Sequence, residues 1–198
     1  MSIRAMHIEL ANTLTSSSTI MALRRFSGRR GTPAILYSNN GKNLKDANKE
    51  LRAALSSLDH TFIGAEAEKL KIQWKFNPPT ASHMGGAWEK LISSVKTSLA
   101  WVLRERNPKK KVLHTLLVEV EHSVNSRPLT HVSCNARGSE ALTPNHFLLG
   151  SSSGQLELPR YEIDSINIRD QWKISQHYAD LFWTRWLREY LPTLHPRK

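Results

Sequence analysis

Cysteine is almost absent from this chain: Cys134 stands alone among 198 residues. A lone cysteine excludes an internal disulfide and any zinc site built on paired cysteines, and a reducing, intracellular setting is the expectation. Long apolar runs are missing too. None approaches the ~20 residues a membrane helix needs, so no membrane partner is expected. The opening carries Glu9, Arg24 and Arg25 but no apolar stretch of the kind a secretory signal requires. Negative charge is scarce, with 17 acidic residues against 28 Lys and Arg, and before Asp46 the sole carboxylate is Glu9. Familiar catalytic signatures are absent as well: there is no Gly-rich phosphate loop, no nucleophile elbow and no His-Glu-x-x-His run. The nine histidines are scattered.

What is present is positive charge. The net charge of +11 and pI near 10 point to a polyanionic partner, most often nucleic acid, against the plainer reading of a solvated, lysine-rich surface. The cations cluster. "RRFSGRR" places Arg24, Arg25, Arg29 and Arg30 together, and "RERNPKKK" runs from Arg104 to Lys111. The second run also fits a nuclear import signal, so the expected location is nuclear.

A hydrophobic content of 39% fits a globular chain, and at this size a domain hides roughly 70% of the surface its unfolded chain exposes. "RAMHIEL" alternates Met6, Ile8 and Leu10 with polar residues and predicts a strand. "SSSTIMALRRF" predicts a serine-capped helix with Ile20, Leu23 and Phe26 on its apolar face, ended by Gly28 and Gly31. "TPAILYS" predicts a short, nearly continuous apolar strand running into the turn "NNGKN". A helix from Leu44 to Leu58 follows, then the alternating strand "KIQWKF", stopped at Asn77-Pro78-Pro79. The next helix carries Trp88, Leu91, Ile92, Val95, Leu99 and Val102 on its buried face. Another, around Val112 to Val124, buries Leu113, Leu116, Leu117, Val120 and Val124 until "NSRPLT" breaks it. The order strand, helix, strand, helix, strand, helix, helix predicts an α/β domain over residues 1–150 with helices covering a partly parallel sheet.

"SSSGQLELPR" predicts a linker, residues 151–168. The tail, 169–198, predicts an amphipathic aromatic helix in which Trp172, Ala179, Phe182, Trp183, Trp186, Leu187 and Tyr190 recur at helical spacing before Pro192. That face reads as docked on the chain's own core or on a partner, with base stacking as the competing reading.

"HMGGAWEK", His83 to Lys90, sets Glu89 behind a Gly-Gly pair at a helix start. It is either one corner of a metal site or a first-turn acid stabilised by the helix dipole by ~0.3–1 kcal/mol. His83 reads as a loop-fixing hydrogen-bond partner rather than a metal ligand. Asp46 and Glu50 read as ordinary helix-face charges.

Several blocks resemble the integrase of BEL/Pao-type LTR retrotransposons. "RAMHIEL", "ALRRFSGRRGTP", "ILYSNNGKN", "WKFNPPTASHMGGAWEKLISSVK", "VNSRPLT" and "LTPNHFLLG" stand in that family's order and spacing, and "QWKISQHYADLFWTRWLREYL" looks like the short domain that follows the core. The resemblance covers nearly the whole chain. It implies an RNase H-like fold, a mixed sheet flanked by helices, and an ancestral polynucleotidyl transfer in which three acids hold two Mg²⁺ ions for in-line displacement at phosphorus. Hard cations want hard oxygen ligands. Carried over by position, Glu89 matches the third acid. Asn39 stands where relatives have the second, and the first lies on a strand that precedes "RAMHIEL" in the family, so the fold is expected to lack its first strand. One carboxylate and one amide make a poor Mg²⁺ site, and a catalytically inactive chain that binds no metal tightly is the expectation.

DNA binding can outlive the acids. Lys96, seven residues beyond Glu89, resembles the lysine that contacts DNA beside the integrase active site. Lys90 and Lys42 would flank the same mouth, and Arg24, Arg25, Arg29 and Arg30 form a second candidate patch. Such cations neutralise phosphates without reading sequence. The competing readings are an interaction module that dimerises through integrase helix faces or docks the aromatic tail, a product of a decaying element without function, and an active enzyme whose first acid lies upstream of Met1.

Overall fold

The computed structural model describes residues 3–56, 72–78, 86–104, 107–130, 132, 140–152 and 170–193. Two compact units divide the chain: Glu9–Gly86, and Met1–Ile8 together with Ala87–Lys198. The described residues are mixed α/β and mostly helical, with one small two-stranded parallel sheet.

In the Glu9–Gly86 unit, α1 spans Ser16–Arg30. Thr15 caps it, its Oγ1 accepting the Ser18 N–H at 3.2 Å and so satisfying one of the orphan donors of the first turn. The helix runs through Gly28 and ends at Gly31, whose φ of 87° lies in the region glycine enters without steric cost. β1 (Ile35–Ser38) leads through a turn into α2 (Lys42–Ser56), and β2 (Gln73–Phe76) lies parallel to β1, with Ile35 opposite Gln73 and Tyr37 opposite Lys75. Parallel strands need a crossover between them, and α2 lies in that crossover, packed on α1. Trp74 is buried on the inner face, where its Nε1–H donates to Ser38 Oγ at 2.8 Å.

In the other unit, α3 (Gly86–Leu103), α4 (Lys110–Asn125), α5 (Pro144–Leu149) and α6 (Gln171–Tyr190) follow in order. Val95, Val102, Val112, Leu116, Val120, Val124, Tyr178, Phe182 and Trp186 form its core. The largest contact joins α4 to α6. Phe182 and Trp186 are fully buried there, and Trp186 stacks on Tyr190 with centroids 4.5 Å apart. The aromatic tail helix therefore docks on its own unit. Among the described side chains the stripes expected for α3 and α6 hold with one exception each, Ile92 at 38% and Trp172 at 52% exposed; the Trp88 side chain lies outside the described ones. Ile92 lies at the margin of its helix face, and Trp172 lies in the first turn of α6.

The expected strand at "RAMHIEL" is not one. Met6 and Ile8 do point at the core, as their alternation implied, but their backbone is served by side chains of α4 rather than by a neighbouring strand. Asn125 Oδ1 accepts the Met6 N–H and its Nδ2 donates to Met6 O, both at 2.8 Å, while Glu121 accepts the Ile8 N–H at 2.8 Å. One amide with a donor and an acceptor supplies both bonds a sheet partner would give. Arg127, buried just past α4, donates to the carbonyls of Val124 and Arg4. Burial pushes its pKa down, with Tyr190 acting in the opposite sense, and its position at the negative end of the α4 dipole favours the charged form. Asn145 completes the set, donating to Ser126 Oγ at 2.9 Å. The expected linker falls mostly on residues outside the described ones.

Candidate nucleic-acid interface

β1 delivers Asn39 to the tip of a tight turn. Its Oδ1 accepts the Gly41 N–H at 3.1 Å, closing an Asx turn of the kind that lets Asn substitute for backbone hydrogen bonding. A Cβ on Gly41 would stand 3.0 Å from Asn43 Oδ1 and 3.2 Å from Asn39 Oδ1, so the turn has little room for a side chain there. Asn40 is tied by its amide to the carbonyl of Asn77, which follows β2. Asn43, on α2, donates to Thr19 of α1 at 3.1 Å. Lys42 opens α2 and is exposed.

The four arginines of α1 are not equivalent. Glu9 takes Arg25 Nε at 2.6 Å on one oxygen and Arg29 Nη1 at 2.7 Å on the other, and Arg25 also donates to Leu10 O at 3.1 Å. Charge-assisted pairs of this kind are among the stronger hydrogen bonds. Arg25 and Arg29 are thus engaged by a residue that the sequence placed in a strand. Arg24 is exposed and Arg30 half-buried.

In the helical unit, Glu89 lies in the first turn of α3 and is exposed, a position where the helix dipole favours an acid. Lys90 and Lys96 are exposed on the same helix, and Lys96 is two turns beyond Glu89. Asn39 and Lys42 belong to one unit and Glu89 to the other. His83 lies outside the described residues. Asp46 and Glu50 are exposed on α2.

Asn39 and Glu89 do not suit a pair of Mg²⁺ ions. The Asn39 amide is neutral and its oxygen already serves Gly41, and a single carboxylate supplies too little charge for two hard dications. Among the described residues no three His, Cys, Asp or Glu side chains group as metal ligands. The perturbed titrating groups lie elsewhere. Burial, aided by the charge of Asp180, raises the pKa of Glu119, and burial lowers that of His122. Both belong to α4. No helix among the described residues is long and apolar enough to cross a membrane.

No protein-family model matches the chain, and no curated protein or solved structure is detectably similar to it.

Proposed function

We propose that this chain is an integrase-like protein of BEL/Pao retrotransposon type that binds DNA through phosphate contacts without cutting or joining it. The observation that carries this reading is the exposed face of α3, where the lone acid Glu89 is followed by the cations Lys90 and Lys96 on a chain of net charge +11. The strand–helix–strand order, with Asn39 at the end of β1 and α3 after β2, supports an RNase H-like ancestry. Asn39, held in its turn, replaces an acid with a structural amide. The family's ion chemistry needs carboxylates on several elements, and at the position of the second this chain has the amide of Asn39. A binding protein without catalysis is what remains. Binding to chromosomal DNA places it in the nucleus, and a homodimer would double its contacts. Docking of a partner by the aromatic tail is the weaker reading, since Phe182 and Trp186 are buried on α4.

The test is fluorescence anisotropy of a labelled duplex at several salt concentrations. Affinity should fall linearly on a log–log plot with a slope corresponding to roughly three to six phosphates, at about −0.9 per phosphate. Lys96→Glu should reduce that slope by about one. A folded chain that ignores duplex at low salt sinks the reading. Mn²⁺-dependent nicking that disappears in Glu89→Gln would overturn the non-catalytic part alone.

A further inference from the structure

Among the described indoles of the helical unit, Trp101 and Trp172 stand outside its core. Trp101 stands near the C-terminal end of α3 and is 45% exposed, although the same helix buries Val95 and Val102. A solitary exposed apolar side chain calls for no explanation, but Trp101 is not solitary. Arg185 of α6 lays its guanidinium over the ring, with its carbon 5.9 Å from the centroid, within the range of a cation–π contact. Glu189, one turn further along α6, pairs with Arg185. Thr97 and Arg104 lie about one turn before and after Trp101, and Arg188 about one turn after Arg185. All three are exposed.

An aromatic face bordered by arginines and a hydroxyl has the composition of a single-strand binding surface, where bases stack on the ring and cations follow the phosphates. A duplex keeps its base faces inside its own stack, so an indole plane gains little from one. We propose that Trp101 and Arg185 form a stacking platform for an unpaired base of single-stranded DNA, with Arg104 and Arg188 beside the flanking phosphates. The platform lies about 120° around α3 from Glu89, at 100° per residue, and so forms a face separate from that of Lys96. The inference rests on the nucleic-acid reading above and refines it by naming the state of the strand.

The experiment compares a labelled oligothymidine with a duplex of equal length, titrated with the full chain, with Trp101→Leu and with Trp101→Phe. Trp101→Leu should weaken oligothymidine binding about tenfold, which falls within the ordinary effect of losing one stacked base. Duplex binding should change by less than about twofold. Trp101→Phe keeps a π-face and should retain most of the affinity. Oligothymidine should also quench tryptophan emission of the parent chain more than that of Trp101→Phe, a readout that holds even if the leucine variant fails to fold. Unchanged oligothymidine binding in Trp101→Leu, equal loss for both probes, or equal quenching overturns the platform while leaving duplex binding in place. A parent chain that binds neither probe overturns both proposals.

Discussion

The two units are built on different terms. Among the described residues, the unit that includes 87–198 buries nine large or branched apolar side chains in one cluster, whereas Glu9–Gly86 buries only Ala47 and Trp74 to a comparable degree. The first is held by apolar burial between helices. The second is held more by polar detail: the Thr15 cap, the Asn39 and Asn40 turn bonds, and the Glu9 clamp on two arginines. Burial is non-directional and scales with area, while a hydrogen bond contributes only ~0.5–1.5 kcal/mol net. Substitutions should therefore cost most stability in the helical unit and less in the sheet unit.

The sharpest break is Phe182→Ala, which empties the centre of the α4–α6 contact. It should cost about 3–5 kcal/mol, read as a lower denaturation midpoint with the anchoring of Trp74 unchanged. Asn125→Ala comes next. It strands the Met6 N–H and C=O together and should cost about 1–3 kcal/mol, with faster amide exchange over residues 4–8. A cost below ~0.5 kcal/mol would mean that segment is held by Met6 and Ile8 packing alone.

Glu119→Gln tests the interior of the helical unit by pH. Burial raises the folded pKa of Glu119 above its unfolded value, so the native state favours the proton. The stability this gives is present at acid pH and falls as pH rises from the ordinary carboxylate range through the raised folded value. Glu119→Gln should flatten that decline and stabilise the protein at neutral pH; an unchanged pH profile would contradict it. The smallest effect on stability is expected from Glu9→Gln, below ~1 kcal/mol because its partners are partly exposed. Its effect on binding should be larger in kind. Freeing Arg25 and Arg29 should steepen the salt dependence of duplex affinity by up to about 0.9 for each arginine that reaches a phosphate.

The helices were legible because their signals are local. Gly31 ends α1, although the helix's cap is Thr15 and not one of the serines expected to cap it; Pro192 follows α6, and the apolar spacing of Leu116, Val120 and Val124 marks one face of α4. The parallel pair was legible in type, since "ILYS" and "QWKF" are short, aromatic and β-branched runs with turn signals beyond them. α5 was missed, although Thr143 before Pro144 is a helix-start signature, because six residues are too few to show a period. "RAMHIEL" misled because alternation reports which side chains face inward, not what pairs with the backbone. The Glu9 clamp was invisible for a related reason: its partners lie 16 and 20 residues away, and no short pattern announces such a pairing. Among the basic residues, the sequence could mark the clusters but could not show which cations were already engaged.

Asn125 reaches back 119 positions to hold Met6, and this has a consequence during synthesis. The opening residues leave the ribosome long before the side chain that will fix them exists. At about 5–20 residues per second, that interval is roughly 6–24 s. Throughout it the intervening Glu9–Gly86 segment can fold, while Met6 and Ile8 wait as exposed apolar side chains. The order of translation thereby makes the sheet unit available first, the Asn125 anchor of the N-terminal strap next, and α6 after it.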